Sequence, residues 1–205
     1  MATERNAERV AAWIMVGFIV VFGTLILMSI VAKPDAFISY LGFATNQIGA
    51  PLAWLLSAFV TAEYVWGASK IPAVREHMFR PTALKLLAVV ATVTAGVVEE
   101  IIFRKWIMDY LDKHAMGAVL QVLVSGVAFG SAHAVWGLLG RSFDAALHAM
   151  VATGILGAAL GVVYLAADRS LAPCIVAHFV ISALIEPGLM VGGLRGQLGF
   201  RAKRA

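Results

Sequence analysis

Long apolar runs, separated by short polar breaks, make up nearly the whole chain. The first, Val10 to Ala32, ends at Lys33-Pro34-Asp35. A second covers 48–68, within a wider uncharged stretch interrupted by Asn46, Gln47 and Pro51. Further runs cover 83–108, 117–139, 145–166 and 171–193. Crossing a bilayer takes ~20 apolar residues in a helix. The pattern therefore predicts an all-α, polytopic transmembrane helical bundle of about six spans. The polar stretch Asp109 to His114 reads as an interfacial continuation of the third helix. Gly154, Gly157 and Gly161 in the fifth helix form a small-residue packing face of the kind membrane helices use.

Composition agrees with this reading. Of 205 residues, 61% are hydrophobic and 14% charged, with a mean hydropathy of +0.87. Soluble domains run ~45–50% apolar and ~25% charged. The length suits one helical bundle with no separate soluble domain. The expected organisation is an N-terminal transmembrane hairpin and cytoplasmic loop (1–82), a helical core (83–193) and a basic tail (194–205). The net charge of +4 is modest and its basic residues are scattered, so no nucleic-acid partner is expected; membrane lipid is. A single cysteine, Cys174, excludes an intrachain disulfide. The first apolar run is too long for a signal h-region and reads as a retained span. With six spans, eleven Lys and Arg fall on the side of the N-terminus and five on the other. The positive-inside rule then predicts both termini in the cytoplasm, with a bacterial inner membrane as the expected location.

The third apolar run contains Glu99, Glu100 and Arg104. A charge at membrane depth costs ~2.5–3.5 kcal/mol on insertion scales, so this group should be paired and face the interior or a wet cavity. Glu100 and Arg104, four apart with the acid first, are set to pair along a helix. Glu99 lies ~100° round the helix with Phe103 four residues on, where no cation can hold it. It is the freer carboxylate and the candidate general base.

Two histidines stand in later apolar helices: His133 after Phe129-Gly-Ser-Ala, and His178 after Cys174-Ile-Val-Ala. Either alone fits an interhelical hydrogen bond; together with two glutamates they suggest chemistry. His148 reads as a packing or interface residue, and His77 and His114 as solvated loop residues. Intramembrane Glu, Arg and His equally mark ion pathways, which keeps a proton-coupled transporter as a rival. A cysteine protease built on Cys174 and His178 is the weakest reading, because a lone Cys in an apolar helix is normally inert packing.

Glu99-Glu100-x-x-x-Arg104, then Phe129-x-x-x-His133, then His178 resemble the three ordered motifs of the CAAX prenyl protease and bacteriocin-processing family of intramembrane endopeptidases. Glu-Glu-Ile-Ile-Phe-Arg and Arg169-Ser-Leu-Ala-Pro-Cys-Ile-Val-Ala-His178 strengthen the likeness, which covers about 83–190. The resemblance implies hydrolysis of membrane-associated or lipid-modified proteins. Glu99 and His133 would activate water, and His178 would hold the oxyanion with the residue four positions on. Glu100, Arg104 and Phe129 would support the site. The family usually has Asn where this chain has Ser182, a shorter donor with one hydroxyl. That departure keeps open an inactive membrane scaffold or immunity protein. No cofactor is obligatory on this reading; if the enzyme were metal-dependent, Glu99, His133 and His178 would be the ligands of a divalent ion such as zinc.

One conflict arises from lengths alone. At 1.5 Å per residue, His178 lies ~10 Å into its helix and His133 ~24 Å into its own, counted from the same membrane face. In straight, level helices the two would not both meet Glu99.

Overall fold

A computed structural model describes residues 4–135, 137 and 142–198. The structure is 83% helical, with no strands among the described residues. Among the described residues eight helices follow in order: α1 (Glu4–Ala32), α2 (Pro34–Tyr40), α3 (Pro51–Ala68), α4 (Pro72–His77), α5 (Ala83–Lys113), α6 (Ala118–Ala132), α7 (Phe143–Ala166) and α8 (Ala172–Leu194). The basic tail beyond 198 and the segment 138–141 lie outside the described residues.

Punctuation in the sequence explains the helix starts. Pro34, Pro51 and Pro72 each stand at a first helical position, where the missing N–H costs nothing. Thr82 caps α5 by accepting from the Lys85 amide at 3.2 Å, and Ser142 caps α7 by accepting from Ala145 at 3.3 Å, both as side-chain N-caps do.

Five helices, α1, α5, α6, α7 and α8, are long and apolar enough to cross a membrane. The expected second span is α3, whose 18 residues include Glu63 and Tyr64 in the second half. It is not among those five. Ser57, near its start, donates to the Pro173 carbonyl at the start of α8 (2.8 Å). Tyr64, Val65 and Ala68, at its end, pack with Ile185 and Leu189 of α8. Helices α3 and α8 are thus parallel through the bundle. Ala7, Ala11 and Met15 of α1 pack on Leu84, Ala88 and Ala91 of α5, so α1 and α5 begin at the same face.

The α6–α7 crossing is close. A Cβ on Gly126 would come within 2.9 Å of the Gly154 carbonyl, and one on Gly157 within 2.9 Å of the Phe129 Cβ. The expected glycine face is therefore the α6 contact surface. Gly157→Val should push Phe129 away from α7. The expected result is a thermal midpoint lowered by several degrees, corresponding to ~1–3 kcal/mol of overpacking.

The helix levels resolve the conflict of lengths. At the other face Arg169 pairs with Asp109 (2.7 Å) and Asp112 (2.7 Å), and also donates to the Gln121 side chain at 2.8 Å. This ties the α7–α8 loop to α5 one turn short of its end. Ten residues of α5 separate Asp109 from Glu99, ~15 Å at helical rise, whereas His178 lies six residues into α8, ~9 Å, beyond the turn that carries Arg169. The α5–α6 hairpin stands taller than the α7–α8 hairpin, so the deeper position of His133 in α6 reaches the same level.

Candidate active site

Near the middle of the 31-residue α5, the backbone widens. Ile101 to Met108 forms π turns, with i→i+5 bonding that commonly marks functional sites in helices. Ser125 of α6 donates to the Phe103 carbonyl there at 3.0 Å, satisfying an acceptor in the altered ladder. Arg104 lies inside this stretch.

Glu100 and Arg104 are both 0% exposed, and Arg104 Nε lies 3.1 Å from Glu100 Oε2. The guanidinium also donates through Nη2 to the Gly157 carbonyl at 3.1 Å and sits 4.9 Å from the centre of the Phe129 ring. The expected buried pair is present, and Arg104 ties α5 to both α6 and α7. Glu100 does more than the sequence suggested: its Oε1 lies 2.7 Å from His178 Nδ1. An ionised carboxylate can only accept, so His178 carries its proton on Nδ1 and turns Nε2 toward Glu99.

His133 is oriented in the same way. It stands at the end of α6, in a short 3₁₀ turn over His133–Val135. Its Nδ1 lies 2.8 Å from the Phe129 carbonyl and donates to it, leaving Nε2 toward Glu99. Phe129 is wedged between the two imidazoles, with centroid distances of 4.5 Å to His133 and 5.6 Å to His178. Glu99 Oε2 lies 4.0 Å from His133 Nε2 and 3.7 Å from His178 Nε2. That oxygen is buried and has no hydrogen-bond partner among the described residues. Ser182, one turn beyond His178, is half-buried and also lacks a hydrogen-bond partner among the described residues.

The donor chemistry of Glu99, His133 and His178 suits zinc, with Glu100 behind His178 as an outer carboxylate. The spacing does not. Among the described residues, Glu4, Glu8 and His77 are the group of three whose ligand atoms lie within 4.8 Å of one another; the Glu99 set is more open. Cys174 is fully buried and points to the Leu160 carbonyl at 3.4 Å, which leaves it as core. His114 is exposed, as expected, but His77 is 2% exposed and belongs to α4 rather than to a solvated loop.

Glu186 was missed by the sequence reading. It lies eight residues after His178, ~80° round α8, within electrostatic reach of Glu99 and His178. The signal was the one that exposed Glu99: a carboxylate inside an apolar helix.

A family model described as type II CAAX prenyl endopeptidase Rce1-like matches residues 81–184. No curated protein and no solved structure matches the chain. The matched segment runs from the start of α5 into α8 and so includes the two glutamates, Arg104 and the two histidines that converge in the bundle. It covers more than half of the sequence, and the chain belongs to the Rce1-like type II CAAX prenyl endopeptidase family.

Proposed function

We propose that this protein is an intramembrane endopeptidase that hydrolyses peptide bonds of membrane-associated or lipid-modified proteins, with water activated by Glu99 and His133. The observation that carries the reading is the unpartnered Glu99 Oε2 facing two imidazole Nε2 atoms at 3.7 and 4.0 Å. These separations exceed a direct hydrogen bond and suit a water reacting between the groups. Glu99 takes a proton from that water with His133 assisting, the oxygen attacks the peptide carbonyl, and the proton passes to the departing amine as the C–N bond breaks. His178 holds the oxyanion through Nε2 as an imidazolium, with its second proton on Nδ1 toward Glu100. Glu100 fixes the ring from behind, as a carboxylate does for a catalytic imidazole. No step requires a metal. With both termini in the cytoplasm, the Asp109–Arg169 end of the bundle lies on the opposite face.

Ser182 is the natural second oxyanion donor, and three enzymes test it on one cleavable membrane peptide. Ser182→Ala should lose turnover with KM little changed, by up to the ~10²–10³ seen when an oxyanion donor is removed. Ser182→Asn should equal or exceed wild type, since the amide reaches farther and offers two donor hydrogens. Equal rates in all three would reduce Ser182 to packing.

The function itself is tested by comparing peptide termini in membranes of cells carrying wild type or Glu99→Gln. New termini in membrane proteins that depend on Glu99 support the endopeptidase. Unchanged termini, together with proton flux through liposomes that depends on Glu99, would replace it with the transporter reading.

A further inference from the structure

At the membrane face opposite the Asp109–Arg169 tie, the first turns of α1 meet the end of α4. Glu4 and Glu8, four apart on α1, turn their carboxylates toward His77. His77 Nδ1 lies 2.9 Å from the Ala73 carbonyl and must donate to it, because a carbonyl oxygen only accepts. The other ring nitrogen, Nε2, is thereby left with its lone pair. It is buried, has no hydrogen-bond partner among the described residues, and points at Glu8 Oε1, 3.6 Å away.

We propose that Glu4, Glu8 and His77 form a binding site for a divalent cation of the zinc type, separate from the catalytic group. Three features argue for it. An imidazole whose Nδ1–H is fixed by a backbone carbonyl is the usual state of a metal-ligating histidine. One nitrogen and two carboxylate oxygens form a three-ligand set open to water, as zinc accepts. Ligands held tetrahedrally at 2.0–2.1 Å stand roughly 3.3 Å apart; the Nε2–Oε1 separation of 3.6 Å is close to that, and all three ligand atoms already lie within 4.8 Å of one another.

Glu4 has a cation beside it already. Arg80 is the nearby cation, 3.8 Å from Glu4 and 3.3 Å from Glu76. Arg80 and Glu4 are both about half exposed, where an ion pair contributes little. Swinging Glu4 from Arg80 to a cation therefore costs little. The bound ion would fasten the start of α1 to α4.

The test uses the full-length protein, stripped with chelator, in a Glu99→Gln background that weakens the catalytic group as a competing ligand set. Zinc is titrated against a chromophoric chelator, and thermal unfolding is followed in parallel. The expected result is one zinc per chain, a midpoint that rises with zinc concentration, and no competition from magnesium, which avoids nitrogen ligands. His77→Gln and Glu8→Gln should each weaken binding by at least ~10–100-fold, the loss that even outer-shell changes produce. Should His77→Gln fail to fold, Glu8→Gln at the half-exposed edge still decides. Absence of zinc binding overturns the site, and so does binding that Glu8→Gln leaves unchanged.

Discussion

Glu99→Gln should abolish proteolysis and leave the fold intact. This is the largest effect expected of any single atom exchange in the protein. The amide is isosteric, and Glu99 Oε2 has no hydrogen-bond partner to lose among the described residues. Its neighbours are the Nε2 atoms of His133 and His178 at 4.0 and 3.7 Å, each ring held from its far side by Phe129 or Glu100. Neither anchor depends on the Glu99 charge. A positioned general base contributes ~10²–10⁴ in rate, and His133 alone then faces the water. Turnover of a membrane peptide should fall by at least that factor, while the thermal midpoint stays within a degree or two of wild type. Full turnover by the folded variant would remove Glu99 as the base.

Arg104→Ala has the opposite profile: it damages the fold first and activity as a consequence. Glu100 and Arg104 are both fully buried, so removing the guanidinium strands a carboxylate inside the bundle. Breaking a buried pair from one side costs ~3–5 kcal/mol. The variant also loses the donor to the Gly157 carbonyl and the cation beside Phe129. Because Glu100 holds His178 Nδ1 at 2.7 Å, the freed carboxylate no longer fixes the imidazole. Denaturant unfolding in detergent should register the loss. A double-mutant cycle with Glu100→Gln should recover part of it, since the pair no longer leaves one charge unmatched. If Arg104→Ala is as stable as wild type, the pairing does not support the fold.

Physical cost decided what the sequence revealed. Apolar runs of spanning length have few alternatives, so the helices were readable from Val10 onward. Glu99, Glu100 and Arg104 stood out because ionised groups are rare at that depth. Which side chains meet was a different matter. His178 reaches Glu100 only because Arg169 fixes the α7–α8 loop at the level of Asp109, and a contact sixty residues away in sequence leaves no local periodicity. His77 was misread because the six-residue α4 is too short to show a helical repeat; its burial depends on α1 packing back from the far end of the chain. Glu186 carries the same signal as Glu99, a carboxylate inside an apolar helix, one turn beyond Ser182.

On the proposed endopeptidase reading, the tie between Arg169 and Asp109 would act as a ruler. It marks a charged layer, with Asp112 and Lys105 nearby, at one boundary of the bundle. Glu99 lies ten residues along α5 from that layer, ~15 Å at helical rise. An extended peptide advances ~3.3–3.6 Å per residue. A substrate held by a polar or charged anchor at that layer therefore presents the bond about four or five residues away. Selection of the cleavage position would follow from distance to the anchor, so one residue inserted between the anchor and the scissile bond should move the cut one bond nearer the anchor in the original sequence.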